Sequence, residues 1–124
     1  KRQAVRIALT AARRTLASSG VEDAALCHGA AGVAHLFNRL YQATGEPELL
    51  DAAQRWFAAT LRLHNDEHGV GGFPARLTQG PQAGQWADEP GFLEGAAGVA
   101  LALLAATTNV APAWDRVLLA SLPS

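Results

Sequence analysis

The sequence predicts an all-α fold built from helical repeats, with an inner layer of helices packed inside an outer layer. Two observations carry this prediction. Apolar residues recur at helical spacing along most of the chain, and Gly29-Ala30-Ala31-Gly32-Val33-Ala34 recurs letter for letter as Gly95-Ala96-Ala97-Gly98-Val99-Ala100. Glycines three residues apart on one helix face let another backbone approach closely, so each copy is expected to open a tightly packed inner helix. A plain helical bundle with similar small-residue seams is the alternative.

Three amphipathic helices are expected over residues 3–17, 29–44 and 47–66. Their apolar positions follow the helical period, most regularly in the second helix at Val33, Leu36, Phe37, Leu40 and Tyr41. Gly45 is typical of a helix stop, and Pro47 suits the first turn of the next helix.

The second half of the chain begins with a predicted loop over residues 67–93, which is rich in glycine and proline. Long loops in compact domains are often functional. A fourth helix is expected over 95–107; it is apolar on every side and is therefore predicted to be buried. A fifth, amphipathic helix is expected over 112–121. The helices thus alternate between buried and one-sided types.

Composition excludes several classes of partner and location. The 124 residues include 10 Lys and Arg against 11 Asp and Glu, for a formal net charge of −1. These charges are interspersed, so no nucleic acid or membrane surface is expected as a partner. The longest apolar run, 96–106, is too short to span a bilayer, which takes about 20 residues. A single cysteine and no secretory signal favour the cytoplasm.

Cys27 and His28 lie side by side where a loop gives way to the second predicted helix. Cysteine and histidine are common zinc ligands, and the positive end of a helix dipole is expected to favour a thiolate at this cysteine. Two ligands make only half of a tetrahedral site. A buried, unreactive cysteine is the alternative.

Three segments carry a resemblance to a known family: Leu26-Cys27-His28-Gly29-Ala30-Ala31-Gly32-Val33-Ala34, Phe92-Leu93-Glu94-Gly95-Ala96-Ala97-Gly98-Val99-Ala100-Leu101-Ala102-Leu103 and Trp114-Asp115-Arg116-Val117-Leu118-Leu119. Together they resemble the C-terminal part of the lanthionine synthetase C-like family, the lanthipeptide cyclases. The resemblance implies an α/α toroid, with an inner ring of helices inside an outer ring. Residues 1–124 would be the C-terminal part of one such domain, a partial toroid of about five helices. Because the chain starts at Lys1 within a helical pattern, we expect that N-terminal repeats are missing.

The resemblance also implies a metal site and a reaction. Family members bind zinc with two cysteines and one histidine, and Cys27 and His28 match the adjacent pair. The other cysteine belongs to a Trp-Cys-Tyr-Gly-like motif in the preceding repeat, which this chain does not contain. In the family, a zinc-activated peptide thiolate adds to dehydroalanine or dehydrobutyrine and forms (methyl)lanthionine rings. The acid that protonates the resulting enolate is expected upstream, so the catalytic residues are unknown and the chain alone should be nearly inactive.

The implied partner is a dehydrated precursor peptide, with a dehydratase as a further candidate partner. Three alternatives stay open at this point. The parent protein could be a bifunctional synthetase that carries this cyclase domain. It could instead be a non-catalytic family member that binds peptides or glutathione. The third is an orphan helical domain without metal.

Four other polar residues have weaker signals. His35 is expected at the rim of the inner ring, and His64 and His68 at a solvated helix end. Glu94 holds the position in the second copy that His28 holds in the first, where it is expected to interact with amide groups at the helix start.

Two groups of residues on the surface complete the expectations. A peptide in the cavity of the toroid could be held by Trp86, Asp88 and the loop at 71–72, although nothing in their spacing demands it. An exposed inner-ring surface is expected around Val99, Leu101 and Leu103. Because burying such a side chain is worth about 1.5–3 kcal/mol, the isolated chain should be marginally stable or self-associate.

Overall fold

The computed structural model of the chain describes residues 2–118 and residue 120. Its elements, in order, are α1 (Arg2–Ala12), α2 (Leu16–Ser19), α3 (Ala30–Thr44), α4 (Pro47–Arg62), β1 (Ala75–Arg76), β2 (Trp86–Ala87), α5 (Ala96–Thr107) and a 3₁₀ segment (Ala113–Leu118). The predicted all-α class is confirmed, since the two strands form only a small antiparallel pair. No helix in the described part of the chain is long and apolar enough to cross a membrane.

The first predicted helix is interrupted in the structure. It was expected over residues 3–17, but α1 ends at Ala12 and a separate turn, α2, begins at Leu16. Thr15 lies between them in extended conformation, and its side chain accepts a hydrogen bond from the amide of Ser18 while its own amide donates to the Ser18 hydroxyl. In this reciprocal capping box the amides of Thr15 and Ser18 bond to side-chain hydroxyls, whereas in a continuous helix they would bond to backbone carbonyls. The box therefore favours a new helix start.

The next two helices follow the expected pattern at three of their four ends. Gly45 adopts the left-handed conformation (φ 73°) after α3, and its amide donates to the carbonyl of Tyr41. Pro47 opens α4 as predicted. The fourth end differs: α4 stops at Arg62 instead of continuing to residue 66. Asn65 is the cause, because its side-chain oxygen accepts hydrogen bonds from two amides of the following turn.

Helix α3 lies at the centre of the core. One apolar cluster, which includes Phe37, Leu49 and Trp56, packs α3 against α4 and α1. A second cluster, which includes Ala31 and Val99, packs the same helix against α5. The two glycine-led helices therefore lie side by side, as the layered prediction requires.

Helix α5 is less buried than its sequence predicted. Its buried residues are Gly98, Val99 and Ala102, which share the face that meets α3. Leu104 lies outside that face and is 51 % exposed. We expected an exposed surface around Val99, but Val99 is only 2 % exposed, so the expectation is wrong at that residue. A uniformly apolar helix gives no sequence signal for which side is buried, so only its packing decided this.

The loop and the C-terminal segment contain structure that the sequence did not predict. Within residues 67–93, β1 pairs with β2 in the register Ala75 to Ala87 and Arg76 to Trp86. The helix expected over 112–121 is a 3₁₀ segment over its described part, Ala113–Leu118. Residues 119 and 121 of that prediction lie outside the described residues.

Candidate metal centre

The repeated motif includes the loop in front of each helix as well as the helix start. In the first copy, the amide of Ala30 donates to the carbonyl of Asp23 at 2.8 Å; in the second, Ala96 donates to Glu89 at 2.9 Å. In each copy the same acidic side chain also accepts a hydrogen bond from the amide two residues after it. Asp23 and Glu89 are thus equivalent loop anchors, although the two loops share few residue types.

The repeated glycines allow each loop to lie directly against its own helix. A Cβ on Gly32 would stand 1.8 Å from the carbonyl oxygen of Leu26, and one on Gly98 would stand 2.0 Å from that of Phe92. Both distances are far shorter than any real contact between these atoms. The glycines are therefore required by the close approach of loop and helix backbones, which holds residues 27–28 and 93–94 in place.

A backbone hydrogen bond joins the two loops. The amide of Cys27 donates to the carbonyl of Leu93 at 2.9 Å. This bond brings Glu94, the next residue of the second loop, to the side chains of the first. The ligand atoms of Cys27, His28 and Glu94 lie within 4.8 Å of one another, and we call these three residues the metal centre.

The imidazole of His28 is held in one orientation by Asp23. Its Nε2 lies 3.1 Å from the Asp23 Oδ2, and its Nδ1 lies 3.0 Å from the sulfur of Cys27. An ionised carboxylate only accepts hydrogen bonds, so Nε2 carries the proton of the neutral ring. Nδ1 is then the nitrogen with a free lone pair, and it faces the thiol. A carboxylate behind a histidine in this way is the usual arrangement at metal sites.

Asp23 itself is buried, with 1 % of its surface exposed. Besides His28, its carboxylate accepts hydrogen bonds from the amides of Ala25 and Arg76, at 3.0 and 2.8 Å. These three bonds compensate for removing the charge from water. Because Arg76 belongs to β1, the same carboxylate also fastens the hairpin to the metal centre.

The thiol of Cys27 differs from the expectation that the helix dipole would favour its thiolate. Burial raises the pKa of Cys27, and the negative charges of Glu94 and Asp23 raise that pKa further. Helix α3 begins only at Ala30, three residues on, so its dipole is too distant to compensate. In the absence of a cation, the sulfur is therefore protonated at neutral pH and can donate to His28 Nδ1.

Glu94 also departs from its predicted role at a helix start. Its Oε1 accepts a hydrogen bond from the hydroxyl of Thr78, a side chain, where an amide was expected. The carboxylate lies on an open cleft of about 520 Å³ that Cys27 and Glu89 also line. The tertiary structure thus adds Glu94 and Asp23 to the two residues singled out in the sequence.

The donor atoms of the metal centre fit zinc. Zinc takes thiolate sulfur, imidazole nitrogen and carboxylate oxygen, and two ligand atoms on one tetrahedral zinc lie roughly 3.5 Å apart. The three atoms here lie within 4.8 Å of one another, so small side-chain rotations suffice to bring them onto one ion. A sulfur donor beside an imidazole favours zinc over magnesium or calcium, which prefer oxygen alone.

His35 lies apart from the metal centre, and its predicted position at a rim is wrong. It is 1 % exposed, and its Nε2 lies 3.1 Å from Oδ2 of Asp115. Arg39 Nε lies 2.8 Å from the same oxygen, and the ring of Trp114 stacks on the imidazole at 4.6 Å. The 3₁₀ segment folds over α3 and covers this histidine. Burial lowers the pKa of His35, although the hydrogen bond and charge of Asp115 oppose that shift.

The remaining candidates lie outside the cleft of the metal centre. His64 and His68 are exposed beyond the end of α4, as expected. Asp88 accepts a hydrogen bond from the amide of Gly69 at 2.9 Å. Trp86 is 50 % exposed and packs against the Arg76 guanidinium, 5.8 Å from its ring centre. Neither Trp86 nor Asp88 lines the cleft at Cys27, and their facing the cavity of the toroid stays a prediction.

One comparison with known protein families gives a match that covers this whole region. A family model described as lanthionine synthetase C-like protein matches residues 1–119. The match includes both copies of the repeat and every residue of the metal centre. A search of curated proteins found no significant match.

Proposed function

Because the chain belongs to the lanthionine synthetase C-like family, we propose that it is part of a zinc-dependent lanthipeptide cyclase. Residues 1–124 would be the C-terminal part of its toroid, and Cys27 and His28 two of its zinc ligands. The substrate would be a dehydrated precursor peptide, made by a dehydratase or by another domain of the same protein. The reaction would join a peptide cysteine to dehydroalanine or dehydrobutyrine.

The observation that supports this proposal is the pairing of two donor atoms, one on Cys27, which lines the cleft, and one on the adjacent His28. The Cys27 sulfur and the His28 Nδ1 lie 3.0 Å apart, and the opposite ring nitrogen is held by Asp23. This bond keeps the lone pair of Nδ1 available and stops the ring from rotating away. A site whose ligands are held before the ion arrives loses less conformational entropy on binding.

The size of the cleft around the metal centre supports the proposal of a peptide substrate. Zinc bound here would stabilise the thiolate of a peptide cysteine at neutral pH. In the reaction, a C–S bond forms at the β-carbon of the dehydro residue, its C=C π bond breaks and the α-carbon takes a proton. A volume of about 520 Å³ lies within the range of small-ligand sites, so it can hold a short peptide segment.

The first test is the zinc content of the purified protein. We expect about one zinc per chain in the wild type and little in Cys27→Ala, both measured by elemental analysis after dialysis. Circular dichroism would show that the variant is folded. A folded wild-type protein that binds no zinc would contradict the proposal.

The second test is ring formation on a dehydrated peptide that contains one cysteine. Cyclisation leaves the peptide mass unchanged but consumes its thiol, so alkylation with iodoacetamide followed by mass spectrometry separates product from substrate. We expect the parent protein that carries residues 1–124 to consume the alkylatable thiol and its Cys27→Ala variant to leave it, while residues 1–124 alone should be nearly inactive. Zinc binding without thiol loss would instead favour a non-catalytic protein that binds peptides or glutathione.

The location follows from the same chemistry. The proposed reaction consumes a free peptide thiol, and a reducing compartment keeps such thiols from pairing as disulfides. We therefore propose that the protein acts in the cytoplasm.

A further inference from the structure

We propose that Glu94 supplies an oxygen ligand to the metal at Cys27 and His28, so that both copies of the repeat contribute to one site. This inference rests on the proposed function, because it needs a metal at the first two residues. The family resemblance implies two cysteines, one histidine and an open position for the substrate thiol, so Glu94 would hold that fourth position until a substrate thiol displaces it.

Proximity is the first argument. Glu94 lies in the second copy of the repeat, far along the chain from Cys27, yet its ligand atom lies within 4.8 Å of those of Cys27 and His28. Two residues so far apart in the chain meet only if the fold brings them together. The hydrogen bond from the Cys27 amide to the Leu93 carbonyl does so, and it fixes the backbone next to Glu94.

Equivalence of the two loops is the second argument. His28 directly precedes Gly29, the N-cap of α3, and Glu94 directly precedes Gly95, the N-cap of α5. The two N-caps have nearly the same backbone conformation, with φ of −111° and −119°. Since α3 and α5 lie side by side, equivalent positions at their N-terminal ends lie next to each other. A histidine and a glutamate placed in this way present two different donors to one point.

The support behind Glu94 is the third argument. The hydroxyl of Thr78 donates to Oε1 of its carboxylate, and ligating carboxylates are commonly held by such a hydrogen bond. A carboxylate accepts up to four hydrogen bonds or metal contacts, so the bond to Thr78 leaves capacity for a cation. Thr78 thus orients the carboxylate of Glu94 in the way that Asp23 orients the imidazole of His28.

Charge is the fourth argument. A thiolate at Cys27 and a carboxylate at Glu94 carry two negative charges beside a neutral imidazole, which matches a divalent cation. Glu89, on the same cleft, has a structural role, because its Oε1 accepts from the amide of Gly91 at 2.8 Å.

The experiment measures zinc affinity of the purified protein by competition with a chromophoric chelator. We expect Glu94→Gln to raise the zinc Kd about tenfold to a hundredfold. This is the loss in affinity that is typical when a residue that supports a metal ligand is mutated. The matched control, Glu48→Gln, removes an exposed carboxylate that pairs with Arg13 on the surface and should leave Kd unchanged. Thr78→Val should raise Kd a few-fold, because the carboxylate then loses its support.

Cobalt substitution gives a readout that does not depend on activity. Co²⁺ bound with Cys27 shows a sulfur-to-metal charge-transfer band, while its visible bands depend on the number and type of all ligands. In Glu94→Gln we expect the charge-transfer band to persist and the visible bands to change. Should that variant fail to fold, Glu94→Asp, which keeps a carboxylate on a shorter stem, should show an intermediate Kd.

Two outcomes separate this inference from the proposed function. If Glu94→Gln and Glu94→Asp keep the wild-type Kd and cobalt spectrum while Cys27→Ala loses the metal, Glu94 is not a ligand and the proposed zinc site stands. If the wild type binds no zinc, or Cys27→Ala and His28→Ala bind it as well as the wild type, both ideas are wrong.

Discussion

The amide of Cys27 and the carbonyl of Leu93, which hold equivalent positions in the two copies of the repeat, are joined by a hydrogen bond of 2.9 Å. This bond makes the metal centre a product of two repeats. The first copy contributes Cys27 and His28, and the second brings Glu94 to them. Asp23 anchors the first loop and Glu89 the second, so the bond connects two loops that are each held in place by their own hydrogen bonds.

Asp23→Asn should weaken zinc binding while leaving the ligands in place. An asparagine keeps the shape but loses the charge that orients and polarises His28, for which a tenfold to hundredfold rise in Kd is expected. Chelator competition measures the change. The neighbouring Glu22→Gln is the control, because Glu22 is exposed and pairs with the Arg76 side chain at 3.1 Å. Equal affinity in both variants would show that Asp23 serves the fold alone.

Gly32→Ala should destabilise the protein by about 3 kcal/mol, because the new methyl group would overlap the carbonyl of Leu26. The free energy of unfolding in urea measures this loss. Ala43→Ser adds one atom at an exposed position of the same helix and should stay within about 0.5 kcal/mol of the wild type. A stable Gly32→Ala protein would mean that loop and helix are farther apart than described.

Stability should fall as the pH drops below about 6.5 because of His35. Burial lowers its folded pKa, so between the folded and unfolded pKa values the unfolded chain binds more protons than the folded one. Unfolding therefore becomes easier with falling pH, while above pH 6.5 both states are neutral and the effect vanishes. Urea midpoints at pH 7.5 and 5.5 measure the difference.

His35→Gln tests the source of that pH dependence. It removes the titrating group and should reduce the loss of stability between the two pH values. The control, His68→Gln, changes an exposed histidine and should keep the wild-type difference. If both variants lose stability by the same amount on acidification, His35 does not account for the dependence.

Asp115→Asn should cost about 3 kcal/mol of stability, since breaking a buried ion pair leaves a charge without its partner. Asp115 is fully buried, and Oδ2 is shared by Arg39 and His35. Asp51→Asn is the matched control, because its pair with Arg55 is exposed and should contribute less than about 1 kcal/mol. A loss of similar size in both variants would contradict the buried role of Asp115.

Local features of the site were predictable from the sequence, and its distant contacts were not. Adjacent Cys27 and His28 carry a zinc signal by their residue types alone. Asp23 gives no such signal, because an acidic residue in a short loop is common and its burial depends on the amide of Arg76, in the hairpin. Glu94 was predicted to interact with amides, since its sequence context describes only its own helix start.

Helix ends show the same division. Gly45 and Pro47 act through their own backbone preferences, and both ends were predicted. The break before Thr15 and the early end at Arg62 depend on side-chain hydrogen bonds that compete with the helix over a few residues. Helical periodicity continues through such sites, because it reports which face is apolar and not where an amide finds its partner.

The all-α class, the repeat and the adjacency of Cys27 and His28 could be read from the sequence, because they depend on periodicity, on identical letters and on neighbours in the chain. The burial of His35 against Asp115 and the contact of Glu94 with Cys27 came from the tertiary structure alone. The reason is that both contacts join residues far apart in the chain. Their energies depend on how α3, α5 and the 3₁₀ segment pack, which no local pattern specifies.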